Sequence, residues 1–289
     1  MDYSIVTDSS SNLTPDLAEQ YSIEVVPLTL EIDGEEHAAY GEEFDGHAFY
    51  DRMRAHAGVR TSMVNEYGFL QAFEPIVAGG RDMIYIAMSS GISGTVQAAQ
   101  HAAAALMEKY RGRRILVRDT LAASFGEGMF ALEASRMRAL GRSLDQVGQW
   151  VDDHVQRMNQ LFTVDDLNYL RRGGRISRIS AVIGTLGNIK PILFGDTQGR
   201  ISLRERIIGR KASLKAIARR YFDQVQGNEG QPIAIAHGDC EEDANYLIDL
   251  IHKRFPKLQV LLRCYEPGTG AHVGPGAVAL FFFGQPRRD

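Results

Sequence analysis

Residues 83–95 have the sequence MIYIAMSSGISGT, an apolar run that ends in a loop of serines and glycines. A run that is apolar at almost every position is typical of a strand covered on both faces of a parallel sheet. The alanine-rich stretch at residues 95–110 predicts a helix directly after the loop. A strand, a short polar loop and a helix in this order are the repeating unit of α/β proteins, so the stretch predicts that fold class.

The same alternation of short apolar runs and helical stretches continues on both sides of this segment. Residues 3–7 and 114–118 have the β-branched and apolar residues of strands. Thr14 followed by Pro15 is typical of a helix N-cap with proline at the first helical position. Residues 143–146 have the spacing of a capping box, which predicts the start of another helix. The first half of the chain therefore predicts a mostly parallel sheet with helices between its strands.

Beyond about residue 155 the pattern changes, because hairpins interrupt the alternation. Residues 191–194 and 200–206 predict two strands joined by a turn at 196–199. We therefore predict two α/β domains, residues 1–155 with a mostly parallel sheet and residues 156–289 with a mixed sheet. The boundary is soft, and the loop around Thr61 and the final strand are the segments that could cross between the domains.

Composition excludes several classes of protein. The chain has 289 residues, of which 44% are hydrophobic and 24% are charged, so it can bury a sizeable core and is neither disordered nor fibrous. Its net charge of -4 provides no basic field that would attract nucleic acid or an anionic membrane. Two cysteines, Cys240 and Cys264, are too few for a disulfide framework, and no apolar run approaches the roughly 18–20 residues that cross a bilayer. The first residues lack the pattern of a signal peptide, so we expect a soluble, cytoplasmic protein without membrane insertion.

The loop at residues 89–95 is the strongest candidate for a binding site. Loops at the carboxyl ends of parallel strands hold the ligands of open α/β sheets. Glycine lets the backbone approach a ligand, hydroxyl groups donate hydrogen bonds, and the unpaired N–H groups of the following helix favour an anion. We therefore predict that Ser93 and Gly94 bind a carboxylate or a phosphate. The alternative is a glycine turn in which Ser93 or Thr95 acts as the helix N-cap.

The loop matches two enzyme motifs poorly. It lacks the Gly-x-x-x-x-Gly-Lys-Ser/Thr pattern of a P-loop, which argues against nucleoside triphosphate binding. It also lacks one residue of the Gly-x-Ser-x-Gly nucleophile elbow. A serine hydrolase with Ser93 as nucleophile and His272 as base is therefore a weaker alternative.

Further candidate residues lie in other segments. Thr61 and Ser62 could add two hydroxyl groups to the same site, although such pairs are commonly turn or cap residues. His272 lies among the glycines of residues 268–276, which would free the backbone to bring the imidazole against a ligand; an incidental histidine in a flexible loop is the alternative. His37, His47 and His56 lack the spacing of metal ligands and read as surface residues. Residues 237–240 (HGDC) group three possible ligand types after a strand, but we interpret them as a turn at the strand end, so we predict neither a metal nor a cofactor.

Two basic stretches occur at residues 170–177 and 200–211. The first contains a single RRGGR sequence without interleaved aromatic residues, which does not indicate nucleic-acid binding. We expect these arginines to contact an anion or a protein partner. Ordinary solvated arginines are the alternative.

Taken together, these motifs resemble those of the DegV family, which includes the FakB-type fatty-acid-binding proteins of bacteria. The resemblance spans nearly the whole chain and rests on residues 5–9 (IVTDS), 26–28 (VPL), 61–62 (TS), 89–95 (SSGISGT), 169–176 (YLRRGGRI), 190–193 (KPIL) and 272–276 (HVGPG). Residues 63–65 (MVN) and 268–270 (GTG) depart from the family pattern, which usually has Gln-Pro and Gly-Pro-x-Ile-Gly there. These departures concern the pocket mouth and the choice of ligand.

The resemblance implies two α/β domains that hold a long-chain fatty acid between them. The protein would be a carrier and not an enzyme. It would present the carboxylate to a separate FakA-type kinase subunit, which makes acyl phosphate for phospholipid synthesis. By motif position, the carboxylate would be held by Thr61 and Ser93, with His272 close by. The full set of predicted ligand-binding residues is Thr61, Ser62, Ser93, Gly94, Arg175 and His272, and the residues predicted to contact the kinase are Arg171, Arg204 and Arg206.

Overall fold

The computed structural model describes residues 3–41, 44–176 and 188–289. The chain folds into two compact units. The first unit comprises Met1–Phe44 and Val59–Val155, and the second comprises Asp45–Gly58 and Gln156–Asp289. The predicted division had left residues 45–58 in the first domain. That residue 155 is a boundary between folding domains stays a prediction. Ser177, the last residue of the predicted basic turn, lies outside the described residues.

The first unit consists of two sheets and the helices around them. Its strands are β1 (Tyr3–Asp8), β2 (Ile23–Val26), β3 (Thr29–Ile32), β4 (Glu35–Ala38), β5 (Val59–Ser62), β6 (Asp82–Ala87) and β7 (Ile115–Asp119). Its helices are α1 (Pro15–Gln20), α3 (Glu66–Ala78), α4 (Thr95–Lys109), α5 (Phe125–Ala139) and α6 (Leu144–His154).

Local sequence signals begin several of these helices as predicted. Thr14 caps α1, because its hydroxyl accepts a hydrogen bond from the Leu17 N–H at 3.4 Å. Ser143 and Gln146 form a complete capping box at α6, each side chain accepting from the backbone N–H of the other.

The larger sheet of the first unit is parallel and has the strand order β2-β1-β6-β7. As its apolar sequence predicts, β6 is a central strand, and residues 83–87 are fully buried. The chain leaves β1 towards β2 on one side and leaves β6 towards β7 on the other. The carboxyl ends of β1 and β6 therefore form the switch point at which open α/β sheets bind ligands.

Residues 23–32 contain two strands that belong to different sheets. β2 ends at Val26 and joins the parallel sheet, whereas β3 begins at Thr29 and lies between β4 and β5 in an antiparallel sheet. Pro27 separates the two strands, since proline lacks the N–H that a continuous ladder needs. In the antiparallel sheet, Thr61 of β5 pairs with Leu30 of β3.

The second unit is built around one mixed sheet. Its strands are β8 (Met158–Thr163), β9 (Ile189–Gly195), β10 (Ile201–Ile208), β11 (Ile233–His237), β12 (Val260–Cys264) and β13 (Val278–Phe283). Its helices are α2 (Gly46–Arg54), α7 (Asn168–Arg172), α8 (Arg210–Gln224), α9 (Glu241–His252) and α10 (Pro267–Val273). The strand order is β10-β9-β8-β13-β11-β12, in which only β11 and β12 are parallel neighbours among the described pairs. The predicted hairpin is β9 and β10, and the final strand, β13, lies inside this sheet.

Helix α2 belongs to the second unit because of its buried face. Phe49, Tyr50 and Met53 are buried, and the Tyr50 hydroxyl donates to the Tyr265 carbonyl at 3.4 Å. Gly270 makes the contact possible, since a Cβ there would collide with the Tyr50 hydroxyl. A helix that buries large apolar side chains is held where that face packs, whatever its position along the chain.

The predicted fold class is confirmed. Both units are α/β, the larger sheet of the first is parallel, and that of the second is mixed. Among the described residues, no helix combines the length and the apolar character needed to span a membrane.

Candidate functional site

The loop at residues 89–95 joins the carboxyl end of β6 to the first turn of α4. Ser89 holds its shape: the hydroxyl accepts the Gly91 N–H at 3.1 Å, and the carbonyl accepts the Ser93 N–H at 3.1 Å. Ser93 is half-buried, and Gly94 is exposed at the N-cap position of α4. The predicted loop is therefore an ordered turn at the switch point of the parallel sheet.

The Ser93 hydroxyl is paired with the hydroxyl of Thr95. The two oxygens are 2.6 Å apart, and Ser93 Oγ also accepts the Thr95 N–H at 3.3 Å. Either hydroxyl can donate in this pair, so their mutual hydrogen bond uses one of two protons and the other can be given to a ligand. Because Gly94 has no side chain, α4 begins without a side-chain cap, which suits an anion at its N-terminus.

The structure brings Thr61 and Ser62 towards this loop within the first unit. They end β5, where Thr61 is half-buried and Ser62 is exposed. The next residue, Met63, packs on Gly94: its sulfur lies 3.0 Å from the position that a Cβ on Gly94 would take. The two hydroxyl segments predicted from sequence therefore meet at Met63, a residue at which the chain departs from the family pattern.

The sequence analysis missed a buried cluster at the same switch point. Asp8 ends β1 and Glu127 lies in the first turn of α5, and both side chains are 0% exposed. The Ser10 hydroxyl contacts Asp8 Oδ1 closely and lies 3.0 Å from Glu127 Oε2. The Tyr85 hydroxyl donates to Asp8 Oδ2 at 2.5 Å, and the Thr7 hydroxyl lies 2.6 Å from Glu127 Oε1. We call Thr7, Asp8, Ser10, Tyr85 and Glu127 the switch-point cluster.

Burial dominates the electrostatics of the switch-point cluster. Desolvation raises the pKa of Asp8. Desolvation, followed by the charge of Asp8, raises the pKa of Glu127 well above its ordinary value. Glu127 is 120 positions from its partner Thr7, so no local pattern in the sequence links them.

In the second unit, two glycine-rich motifs pack against each other. The His272 imidazole, in the last turn of α10, lies so close to Gly173 that a Cβ there would collide with Nδ1. Gly274, at φ +79°, leaves room in the same way for the ring of Tyr169, whose hydroxyl donates to the Met53 carbonyl at 3.2 Å. Gly173 and Gly274 therefore make room for side chains of their own unit.

His272 and Arg175 together suit an anion. Burial, and then the charge of Arg175, lowers the pKa of His272 to about 4, so the imidazole is neutral at pH 7 and has one N–H to donate. The Arg175 guanidinium donates to the Gly173 carbonyl and keeps exposed surface. Desolvation by partial burial lowers the pKa of Arg175, but arginine titrates so far above neutrality that the guanidinium stays charged.

These observations do not support a serine hydrolase. In the first unit, the hydroxyl partner of Ser93 is Thr95, and a hydroxyl group is too weak a base to activate a nucleophile. The proposed base, His272, has its pKa lowered to about 4, far from the neutral range in which a general base works best.

The three arginines predicted to contact a partner lie in the second unit in different surroundings. Arg171 is exposed on α7, and Arg206 is exposed on the edge strand β10. Arg204 lies at a bulge in β10, where its guanidinium is 3.9 Å from the centre of the Phe194 ring and donates to the Arg288 carbonyl. Arg204 therefore stabilises the fold, whereas Arg171 and Arg206 present charge to solvent.

A group of charged side chains connects α2 to the turn after β11. His47 and Asp51, at i and i+4, approach Asp239, and all three ligand atoms lie within 4.8 Å of one another. The two ring nitrogens face different carboxylates, Nδ1 towards Asp239 at 3.1 Å and Nε2 towards Asp51 at 3.4 Å. Arg54 also pairs with both carboxylates, at 2.6 and 2.8 Å. Both ring nitrogens of His47 and the guanidinium of Arg54 contact these carboxylates, so the geometry is that of ion pairs, and the hydrogen bond to Asp239 raises the pKa of His47.

Comparison with known proteins agrees with the motifs. The model of the DegV family, described as a family of uncharacterised proteins, matches residues 2–285. The chain belongs to the DegV family. A DegV domain-containing protein of Clostridium perfringens is 35% identical over 284 residues, which cover 98% of each chain.

Two solved DegV structures have the same fold. The DegV family protein of Thermus thermophilus, described by its fatty acid binding, has a TM-score of 0.88 and 28% identity, and the match covers 98% of this chain and 100% of that one. DegV of Bacillus subtilis, described as a fatty acid binding protein, has a TM-score of 0.84 and 27% identity over 99% of this chain and 100% of its own.

Proposed function

We propose that this DegV family protein binds a long-chain fatty acid. The proposal is supported by its likeness to the fatty-acid-binding DegV proteins of T. thermophilus and B. subtilis. In this chain, the observation that carries it is the ordered hydroxyl loop at residues 89–95, between the carboxyl end of β6 and the N-terminus of α4. A carboxylate matches the donors of such a loop, and it is the head group of a fatty acid.

We assign the carboxylate to the hydroxyls of Ser93 and Thr61, bordered by Ser62 and Gly94. A hydrogen bond to a charged group contributes on the order of 1.5–3 kcal/mol, so two hydroxyls suffice for a selective head-group site. Met63 is 47% exposed beside Gly94 and offers a flexible apolar surface to the first methylene groups of the acyl chain.

Arg175 and His272 complete the set of predicted ligand residues. A neutral imidazole that donates one N–H, next to a guanidinium, is suited to a carboxylate. That these two residues share one ligand with Ser93 stays a prediction.

Native mass spectrometry tests the binding proposal directly. Protein purified from a bacterial host is expected to carry a co-purified fatty acid, and its mass identifies chain length and unsaturation. Delipidated protein should then take up oleate or palmitate. Protein that is ligand-free and also fails to bind either acid would refute the proposal.

We assign this protein the role of a cytoplasmic carrier in bacterial phospholipid synthesis, not that of an enzyme. It would present the carboxylate to a FakA-type kinase subunit, which forms the acyl phosphate. Exposed Gly94 and Ser62 leave the head group an approach from solvent, which a kinase needs. An organophosphonate probe for nucleophilic serines should leave Ser93 unmodified, and stoichiometric labelling of Ser93 would show a hydrolase instead.

Arg171 and Arg206 are the arginines best suited to dock the kinase, because both are exposed, whereas the Arg204 guanidinium packs on the Phe194 ring. Charges at the rim of an interface mainly set the association rate and its salt dependence. Replacing Arg171 and Arg206 by serine should slow acyl-phosphate formation at low salt and leave fatty acid affinity unchanged. The control replaces the exposed Lys253 and Lys257 by serine, which removes the same charge. Equal turnover in both double variants would exclude the docking surface.

A further inference from the structure

The switch-point cluster contains more short oxygen contacts than two ionised carboxylates allow. The Thr7 hydroxyl has one proton but two oxygen partners, the Ile86 carbonyl at 3.0 Å and Glu127 Oε1 at 2.6 Å. A carbonyl oxygen can only accept. If Thr7 donates to Ile86, the contact with Glu127 requires a proton on Glu127.

The Ser10 hydroxyl has the same conflict. The hydroxyl has one proton, but it contacts two carboxylate oxygens, Asp8 Oδ1 and, at 3.0 Å, Glu127 Oε2. With both carboxyl groups ionised, one contact at Thr7 and one at Ser10 would join two oxygens without a proton between them. Glu127 takes part in both conflicts, so a proton on either of its oxygens resolves one of them.

Asp8 accepts a hydrogen bond on each of its two carboxylate oxygens. Its Oδ1 accepts the Ser10 N–H at 2.9 Å, and its Oδ2 accepts the Tyr85 hydroxyl at 2.5 Å. These bonds are those of an ionised carboxylate. The pair therefore divides its roles, with Asp8 as the acceptor and Glu127 as the donor.

Burial and the charge of Asp8 favour the neutral form of Glu127, and they outweigh the hydrogen bonds from Thr7, Ser10 and the Asp8 backbone N–H, which favour the ionised form. The titratable groups that face it are Asp8 from β1 and Tyr85 from β6. Neither Asp8 nor Glu127 has an ion-pair partner among residues 3–41, 44–176 and 188–289. Two buried carboxylates without a cation would repel each other in a medium of low dielectric, and one proton removes that cost.

The switch-point cluster is connected to β5, the strand that carries Thr61, through Ser9, Leu28 and β3. Ser9, between Asp8 and Ser10, accepts the Leu28 N–H on its hydroxyl at 3.0 Å. Leu28 immediately precedes β3, and β3 pairs with Thr61 of β5. The position of the turn after β1 therefore influences where β3 begins, and with it the strand that carries Thr61.

We propose that Glu127 is a neutral carboxylic acid whose proton holds the turn after β1, and that Glu127 thereby acts as a positioning residue for Thr61. The protonation follows from the hydrogen-bond geometry of the cluster. The effect on ligand binding rests on the proposed fatty acid function.

The variant Glu127→Gln tests whether Glu127 is a neutral acid or an ionised carboxylate in the folded protein. An amide replaces the acid in shape and donates an N–H, so the variant should fold, and its stability should not depend on the Glu127 proton. Because the folded-state pKa of Glu127 is raised, the stabilisation that its proton contributes is fully present below the unfolded-state pKa and is lost as pH rises towards the folded-state pKa. Relative to Glu127→Gln, the wild-type unfolding constant should increase up to tenfold per pH unit from about pH 4.3, until the folded-state pKa is reached.

Urea unfolding across this range, with Glu133→Gln as control, decides the protonation. Glu133 lies on the same helix, where it pairs at the surface with Arg136, so its variant should follow the wild type. Infrared difference spectra of wild type minus Glu127→Gln should also show the C=O band of a protonated acid at neutral pH. The proposal would be overturned if wild type and Glu127→Gln had parallel profiles of stability against pH, or if the C=O band were missing. It would also be overturned if Glu127→Gln failed to fold while Asp8→Asn folded normally.

Fatty acid titrations test the positioning role. Wild-type affinity should fall as pH rises through the folded-state pKa of Glu127, while that of Glu127→Gln stays level. An equal fall in both proteins would refute the positioning role. If neither protein bound fatty acid at any pH, the proposed function would fail, and the unfolding and infrared data would still decide the protonation.

Discussion

Replacing Ser93 by alanine removes the hydroxyl that we assign to the fatty acid head group. In the folded protein, Ser93 Oγ lies 2.6 Å from Thr95 Oγ1, and the two share one internal hydrogen bond. The substitution leaves the turn at residues 89–95 in place, because the hydrogen bonds that the Ser89 hydroxyl and carbonyl accept do not involve the Ser93 side chain. The main loss is therefore one hydrogen bond to a carboxylate.

That loss sets the expected magnitude. A hydrogen bond to a charged group contributes about 1.5–3 kcal/mol, and each 1.4 kcal/mol is a factor of about ten in Kd. Ser93 is half-buried, and Thr95 is released to donate in its place, so we expect the lower end of this range. Ser93→Ala should weaken fatty acid binding about tenfold.

Isothermal titration of delipidated protein with oleate measures this change. Ser90→Ala is the matched control, because Ser90 is an exposed serine of the same loop whose N–H, and not its hydroxyl, bonds to Asp119. Its affinity should equal that of the wild type. If Ser93→Ala and Thr61→Ala both kept full affinity, the head-group assignment would be wrong.

Three further predictions follow from close packing and burial. Gly173→Ala should displace the His272 imidazole towards water and move its pKa from about 4 towards 6.5, which NMR titration of the ring measures; an unchanged value would contradict the contact. The wild type should lose stability in urea unfolding as pH falls from about 6.5 to about 4, because His272 takes up a proton there only in the unfolded state. His272→Gln should lose less stability over this range. An equal loss in both proteins would refute a buried neutral imidazole. Gly128→Ala places a Cβ against the Ser11 carbonyl and should destabilise the protein by about 1–3 kcal/mol in the same assay, whereas a stabilised variant would exclude such close packing.

Much of the local structure was predictable because its causes lie within a few residues. Thr14 before Pro15 and the capping box at Ser143 begin helices through bonds to neighbouring N–H groups. The apolar run at residues 83–87 is buried on both faces because it contains almost nothing that needs water. The loop at residues 89–95 was found in the same way, since its glycines and hydroxyls mark it directly.

Other features had no local cause. Residues 23–32 are mostly β-branched or apolar, and only the tertiary structure assigns β2 and β3, on either side of Pro27, to two different sheets. Gly173 and Gly274 accommodate the His272 and Tyr169 rings, and both contacts join residues about 100 positions apart in the chain. The sequence analysis set His47 aside as a histidine without a ligand pattern, and only folding brings Asp239, 192 positions away, next to it.

By itself, the sequence determined the α/β class, the membership of the DegV family and the hydroxyl loop, because periodicity, capping and motif order depend on residues that are close together in the chain. Only the tertiary structure decided that Asp8 and Glu127 share a buried site and that helix α2 packs with the second unit. Both depend on contacts between residues far apart in the chain. Whether a carboxyl group is a solvated charge or a buried acid is set by what folding brings around it, and no neighbouring residue specifies that.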